Sequence, residues 1–235
     1  DMNDQQSKLY EAVRATMQAS IQKIVAEKGF KRSQIQILDA LLKLRQVCCH
    51  PSLLKLDSVK TGQAHSAKLE QLMDMVVPMV EEGRKILIFS QFTSMLELIE
   101  QQLYHAKIGY VKLTGKTKKR DEVITAFQSG QVPIFLISLK AGGVGLNLTA
   151  ADTVIHYDPW WNPAAEDQAS DRAWRIGQDK PVFVYKLITN QSIEEKILDM
   201  QKNKAELAQS ILSTDHEGDV KLSEDELLGL FDKFL

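Results

Sequence analysis

The chain has 235 residues, 44% of them hydrophobic and 26% charged, with a net charge of −2. That balance allows a sizeable core in one large domain or two small ones, and it excludes a wholly basic surface, so any nucleic-acid contact must come from a local patch. No apolar run approaches the roughly 20 residues that span a bilayer, so no membrane partner is expected. The polar Asp1-Met2-Asn3-Asp4 start carries no signal-peptide pattern. The only cysteines, Cys48 and Cys49, are adjacent, which points to a reducing setting. His50 follows them, but one Cys-Cys-His cluster without a second pair is poor zinc spacing, so a buried structural role and no metal site are expected.

Taken in order, residues 4–28 predict an amphipathic helix through Leu9, Val13, Met17, Ile21 and Ile24, ended by Gly29. Residues 33–47 predict a second, closed by His50-Pro51 because the residue before proline is pushed out of the α region. Residues 55–65 are polar and read as a linker. From Ser66 the pattern alternates. A helix carries Leu69, Leu72, Met73 and Val76, with Pro78 bending its end. Then come a buried strand Lys85–Ser90, a helix Thr93–His105, a short strand Tyr110–Leu113 and a helix Lys118–Gln128. Buried strands Ile134–Ser138 and Thr153–Tyr157 follow. A helix capped by Asn162, with Pro163 in its first position, is expected to run to Ile176 and stop at Gly177. Val182–Leu187 is the last strand. Ser192-x-x-Glu195 reads as a capping box opening a helix to about Leu212, and Ser223-x-x-Glu226 opens a short terminal helix. Alternating βα units of this length imply an α/β fold with a mainly parallel sheet and helices on both faces. In such sheets, ligands bind beyond the carboxyl ends of the strands.

Three candidate loops follow strands at those ends, Ser90–Thr93, Ser138–Asn147 and Asp158–Asn162, and the helix after the last of them carries a candidate stripe. Gln168, Arg172 and Arg175 are spaced i, i+4, i+7 on one helix face with Asp171 adjacent, a stripe suited to phosphate. The alternative is a solvated face with an Asp–Arg pair. In Ser138-Leu-Lys140-Ala-Gly142-Gly143-Val-Gly145-Leu-Asn147 the glycines let the backbone approach a phosphate or sugar, and Lys140 adds charge. The bland alternative is a tight turn. Gly115-Lys116-Thr117 looks like the end of a phosphate-binding P-loop, but that motif needs a glycine at position 110, which is Tyr110. No P-loop is therefore expected in this chain. A nucleotide-sugar or dinucleotide enzyme on a Rossmann-like sheet is disfavoured, since it needs a glycine-rich loop after the first strand and Ser90-Gln-Phe-Thr93 has no glycine.

Together with Leu44-Arg-Gln-Val-Cys-Cys-His-Pro51 and Lys85-Ile-Leu-Ile-Phe-Ser-Gln-Phe-Thr-Ser-Met-Leu96, these segments resemble the C-terminal helicase lobe of the Swi/Snf-type ATPases, superfamily-2 DNA translocases. Lys85–Leu96 is similar to the family's motif IV, Ser138–Asn147 and Tyr157–Pro163 to motif V and its tail, and Gln168–Gln178 to motif VI. The resemblance spans about residues 5–212. Trp174 stands where histidine is commoner, Leu113-Thr-Gly115 replaces a more frequent Asp-Gly, and the Trp-Trp-Asn-Pro tail is closer to bacterial members. The resemblance implies a RecA-like lobe at 66–190 with a helical lead-in and linker at 1–65. C-terminal helices at 191–235 would pack on the lobe or brace a first lobe. It implies a DNA-dependent ATPase that remodels protein–DNA complexes, inactive as this chain alone because the P-loop, the Asp-Glu box and most Mg²⁺ ligands belong to an N-terminal RecA-like lobe. Arg172 and Arg175 would be arginine fingers. Gly143, Gly145, Gln168 and Asp171 would face ATP. Gln91, Ser138, Lys140 and Trp161 would face double-stranded DNA. A DNA-bound protein complex is a further implied partner. The location would be cytoplasm and nucleoid in a bacterium, or nucleus in a eukaryote. The competing reading is a non-catalytic interaction module that keeps a helicase-like fold.

Overall fold

Five short strands form one all-parallel sheet in the order β2-β3-β1-β4-β5. They are β1 Ile86–Ser90, β2 Tyr110–Leu113, β3 Ile134–Ser138, β4 Thr153–His156 and β5 Phe183–Lys186. The structure is a computed structural model that describes residues 1–55, 64–138, 140–141, 146–159, 168–173, 179–203 and 223–235. Within these residues the chain divides into two units: Asp1–Lys68 with Ile188–Leu235, and the described residues between 69 and 187. No described helix is long and apolar enough to cross a membrane.

The second unit holds the sheet and the helices α4 Thr93–His105 and α5 Arg120–Gln128, together with most of α3 Ala67–Glu81. Every residue of β1, β3 and β4 is buried. Successive side chains of a strand point to opposite faces, so complete burial means that both faces of the sheet centre are covered. One face gathers Leu87, Phe89, Phe135, Ile137 and Val154 with Phe127 of α5 and with Ala169 and Ala173. The outer strand β5 is mostly exposed, and the Arg84 guanidinium lies 4.9 Å from the centre of the Phe183 ring. The expected strand positions hold to within a residue, because continuous apolar runs bounded by polar turns admit little else. Helix α5 starts two residues later than expected, since Lys119 has φ −107° and ψ 64°, outside the helical region.

The first unit is helical. Asn3 caps α1 (Asp4–Lys28) by accepting the Gln6 N–H at 2.8 Å. Gly29, at φ +80°, ends α1 and starts α2 (Phe30–Cys49), a conformation that a side chain would strain. His50 is extended and, through Nδ1, accepts the Ser52 N–H of the short 3₁₀ turn Pro51–Leu53. Helix α6 (Ile193–Asn203) contributes Ile193 and Ile197 to the same core as Val13, Ile21, Ile37, Leu41 and Leu44. Leu227, Leu230 and Phe231, of and after α7 (Glu224–Gly229), complete it. The Ser223–Glu226 capping box forms in both directions. The one expected at Ser192 and Glu195 is shifted. Ser192 Oγ accepts the Glu194 N–H at 3.1 Å and donates to Thr189 O at 2.6 Å, and Glu195 accepts the N–H of Gln191 instead. Gln191 has φ +51°, so its N–H takes the place of the usual cap donor. The expected end of α6 near Leu212 lies outside the described residues.

A buried polar hub ties this unit together. Glu194 Oε1 accepts Lys68 Nζ at 2.5 Å and the Thr189 N–H at 2.9 Å, and both ion-pair side chains are buried. Thr189 and Ser66 donate their hydroxyls to consecutive carbonyls, Cys48 and Cys49. Tyr10 accepts the Ile193 N–H at 2.8 Å. Burial, the largest single influence, pulls the Lys68 ammonium down, but the Glu194 carboxylate together with Cys49 and Cys48 raises its pKa on balance. The Cys48 thiol is pushed up to about 12, first by burial and then by Glu194, so it is an inert packing group. Burial also lowers the His50 imidazole to about 4, helped by nearby His65.

Candidate functional site

Because all five strands run the same way, their carboxyl ends share one edge of the sheet. Ser90 and Ser138 lie in register at the ends of β1 and β3, and Phe89 pairs with His156 at the end of β4. The backbone then turns at Asp158, which is 1% exposed. Its Oδ1 accepts the Ser90 hydroxyl at 2.5 Å and its Oδ2 accepts the Gln91 N–H at 3.0 Å. Ser90 Oγ in turn accepts the Phe92 N–H at 3.1 Å. A carboxylate taking two donors makes charge-assisted bonds, which fasten the loop carrying Gln91 to the end of β4. The sequence pattern assigns Asp158 no role of its own. The available signal was an acid placed directly after a buried strand and before Pro159, which must find donors nearby.

His156 was likewise not foreseen. It is fully buried and stacks on Phe89 with ring centres 5.6 Å apart. Burial, and then Lys186 on the neighbouring strand, lower its pKa to about 4, so at neutral pH it is an uncharged imidazole. Its Nε2 lies 3.4 Å from Ser170 Oγ, and this holds the turn of helix at 168–170 to the end of β4.

The regular helix expected across 162–176 is described only at 168–173, and there it changes character. Gln168 to Ser170 are helical, while Asp171, Arg172 and Ala173 form turns. The Arg172 and Ala173 amides bond three residues back, to Ala169 at 3.2 Å and Ser170 at 3.1 Å, and the Arg172 carbonyl accepts the Leu148 N–H at 3.1 Å. A tertiary partner has taken the carbonyl that a continuing helix would use. Ala169 and Ala173 point into the sheet core, Gln168 and Asp171 are exposed, and Arg172 is half-buried.

Among the described residues, the buried polar atoms without a hydrogen-bond partner include Ser138 Oγ and Arg172 Nε at this edge. Leaving such atoms unpaired costs free energy, so each calls for an explanation. Gln91 is half-buried and Lys140 exposed. Gly143, Gly145, Trp161 and Arg175 lie outside the described residues. No group of three His, Cys, Asp or Glu among the described residues is placed to hold a metal ion.

A parallel sheet with this strand order, ringed by helices and carrying its open polar atoms at the carboxyl edge, defines a RecA-like lobe. Residues 67–177 match the helicase conserved C-terminal domain. The chain aligns over its whole length with 96% of the C-terminal domain of a Sulfolobus solfataricus SWI2/SNF2 ATPase, at 33% identity and a TM-score of 0.74. It also covers 49% of the core of that ATPase solved with dsDNA, at 34% identity and a TM-score of 0.78. It is 37% identical over 234 residues, 98% of its length, to the Bacillus subtilis putative ATP-dependent helicase/translocase YwqA. The chain belongs to the SWI2/SNF2 ATPase family and corresponds to its C-terminal lobe. It spans 25% of the length of that Bacillus relative.

Proposed function

We propose that this lobe is the second half of a DNA-dependent ATPase motor that moves on duplex DNA and remodels protein–DNA complexes. In this reading, ATP and Mg²⁺ are held mainly by an N-terminal RecA-like lobe of the same protein. Arg172 and Arg175 reach the γ-phosphate as arginine fingers, with Gly143, Gly145, Gln168 and Asp171 on the nucleotide side. Gln91, Ser138, Lys140 and Trp161 face the DNA. The helical segments within 1–65 and 191–235 act as a brace.

The observation that carries the reading is Arg172 Nε, buried and without a partner among the described residues. Its segment is anchored to the end of β4 through His156 and Ser170. A guanidinium with an unpaired donor on a fixed turn suits phosphate oxygens, which arginine meets with a planar fork. Such a finger contributes about 10³–10⁵ in rate in related phosphoryl transfer.

The test uses the full-length protein with Arg172→Ala and Arg175→Ala separately. Each is expected to lower DNA-stimulated kcat by about 10³-fold or more, with the ATP dissociation constant nearly unchanged in equilibrium titration. Loss of ATP binding in step with kcat would reassign the arginines to ground-state binding. Arginine-dependent ATP hydrolysis by the 235-residue chain alone would overturn the two-lobe reading.

A further inference from the structure

Three consecutive residues, His156, Tyr157 and Asp158, carry β4 to the edge of the sheet, and all three are buried. The backbone of this segment is itself pinned, since the Tyr157 N–H extends the ladder to the Phe89 carbonyl at 2.9 Å. Its two polar side chains are tied to different segments. Asp158 takes the Ser90 hydroxyl at 2.5 Å and the Gln91 N–H at 3.0 Å, and so holds the loop after β1. His156 Nε2 lies 3.4 Å from Ser170 Oγ. The Ser170 carbonyl accepts the Ala173 N–H at 3.1 Å, which closes the turn containing Arg172.

The tie at Asp158 reaches beyond the loop to a helix. Phe92 is the N-cap of α4 and makes no side-chain cap bond. Ser90 Oγ accepts the Phe92 N–H at 3.1 Å, so the hydroxyl that Asp158 holds also orients the entry to α4. A carboxylate placed before a helix start complements the positive end of its dipole as well. A buried carboxylate is costly unless its oxygens are bonded, and both oxygens of Asp158 are. Directional bonds of this kind, fully satisfied in a buried setting, fix a geometry that apolar packing leaves softer.

We propose that Asp158 is a positioning residue that couples duplex binding to ATP hydrolysis, by holding the Gln91 loop in register with the turn of Arg172. The proposal rests on the reading that Gln91 faces duplex DNA and Arg172 faces ATP. Asp158 touches neither ligand. It acts on the loop through Ser90 and the Gln91 amide, and on the arginine through the pinned segment 156–158 and Ser170. A misplacement of about 1 Å, caused by a change far from the chemistry, costs about 10²-fold in rate.

The experiment uses the full-length protein with Asp158→Asn, with Ser90→Ala and with both. Asparagine keeps the size of the side chain and one acceptor, but turns a donor toward one of the two partners. Ser90→Ala removes a single hydroxyl and carries the test alone if Asp158→Asn does not fold. Four quantities are read: the folded fraction from urea unfolding, the KM for ATP, the Kd for a random-sequence duplex without nucleotide, and the ratio of duplex-stimulated to basal kcat.

Per folded molecule, the ratio is expected to fall about 10–100-fold in Asp158→Asn and by less in Ser90→Ala. KM and duplex Kd should stay near their wild-type values. The double variant should resemble Asp158→Asn, because the two changes break a shared bond. A wild-type ratio in the folded variants assigns Asp158 to stability alone and overturns the coupling. A loss of duplex affinity large enough to account for the fall overturns it too, as do losses that multiply in the double variant. Wild-type protein whose ATPase ignores duplex overturns the coupling and the underlying reading together.

Discussion

Ser192 in the helical unit and Ser138 at the end of β3 are both buried, at 0% and 3% exposure, and the fold treats them in opposite ways. Ser192 Oγ gives a proton to Thr189 and takes one from the Glu194 amide. Ser138 Oγ has no partner among the described residues. The contrast extends to their surroundings. In the helical unit Lys68, Glu194, Thr189, Tyr10 and Gln6 are joined in a network closed within the chain, with Gln6 bridging the Val47 carbonyl and the Ala67 amide. At the sheet edge Asp158 closes one half of the network, around Ser90 and Gln91, and Arg172 Nε stands open in the other. A fully satisfied network specifies a shape, whereas unpaired buried groups cost stability, and under the proposed function the edge keeps them for a partner. The contrast is not absolute, since Gln36 Oε1 in the helical unit also lacks a partner among the described residues.

The largest expected effect comes from opening the closed network. Glu194→Ala leaves the Lys68 ammonium buried without its counter-charge and the Thr189 amide without its acceptor. It should cost roughly 3–5 kcal/mol in urea unfolding. Lys68→Met combined with Glu194→Leu should recover most of that loss, because a well-packed apolar pair often equals a buried ion pair. If the double variant were as unstable as the single one, the hub would owe its stability to the charges themselves.

Acid should act on both regions alike, since it acts through burial rather than through ligand sites. His50 and His156 each have a folded pKa near 4 against an ordinary 6.5. Below 6.5 the unfolded chain binds protons that the folded chain refuses. Stability is therefore complete above that pH and falls as pH drops toward 4, by up to about 1.4 kcal/mol per unit for each histidine. His50→Asn keeps an acceptor for the Ser52 amide. Urea midpoints from pH 7 to 4.5 should show a shallower decline for this variant than for wild type, and an unchanged decline would mean that His50 titrates normally.

What was legible in the sequence follows from the range of the forces involved. The strands declared themselves because continuous apolar runs such as Ile86–Phe89 and Ile134–Ile137 are local signals. The Ser223 capping box is local as well, spanning three residues. The Lys68–Glu194 pair joins positions 126 residues apart, and the Ser90–Asp158 bond joins positions 68 apart. Neither can be seen until the strand order and the docking of the helices are known. The turn at Asp171–Ala173 escaped for the same reason, since helical spacing says nothing of a Leu148 amide waiting for the Arg172 carbonyl. At the candidate site, Ser138 and Arg172 were named from glycine-rich and arginine spacing together with the family resemblance. What they lack, a partner among the described residues, is a property only of the folded edge.

The most direct measurement makes the same chemical change in both regions and reads two properties. Ser138→Ala and Ser192→Ala in the full-length protein are each followed by urea unfolding and by duplex-DNA affinity. Ser192→Ala should lower stability by about 1–3 kcal/mol, because it strands a carbonyl and an amide, with duplex affinity retained in the folded protein. Ser138→Ala should leave stability within about 0.5 kcal/mol of wild type and weaken duplex binding. A Ser138→Ala protein that lost stability as Ser192→Ala does, or that bound duplex DNA as tightly as wild type, would contradict the assignment of the open edge to a ligand.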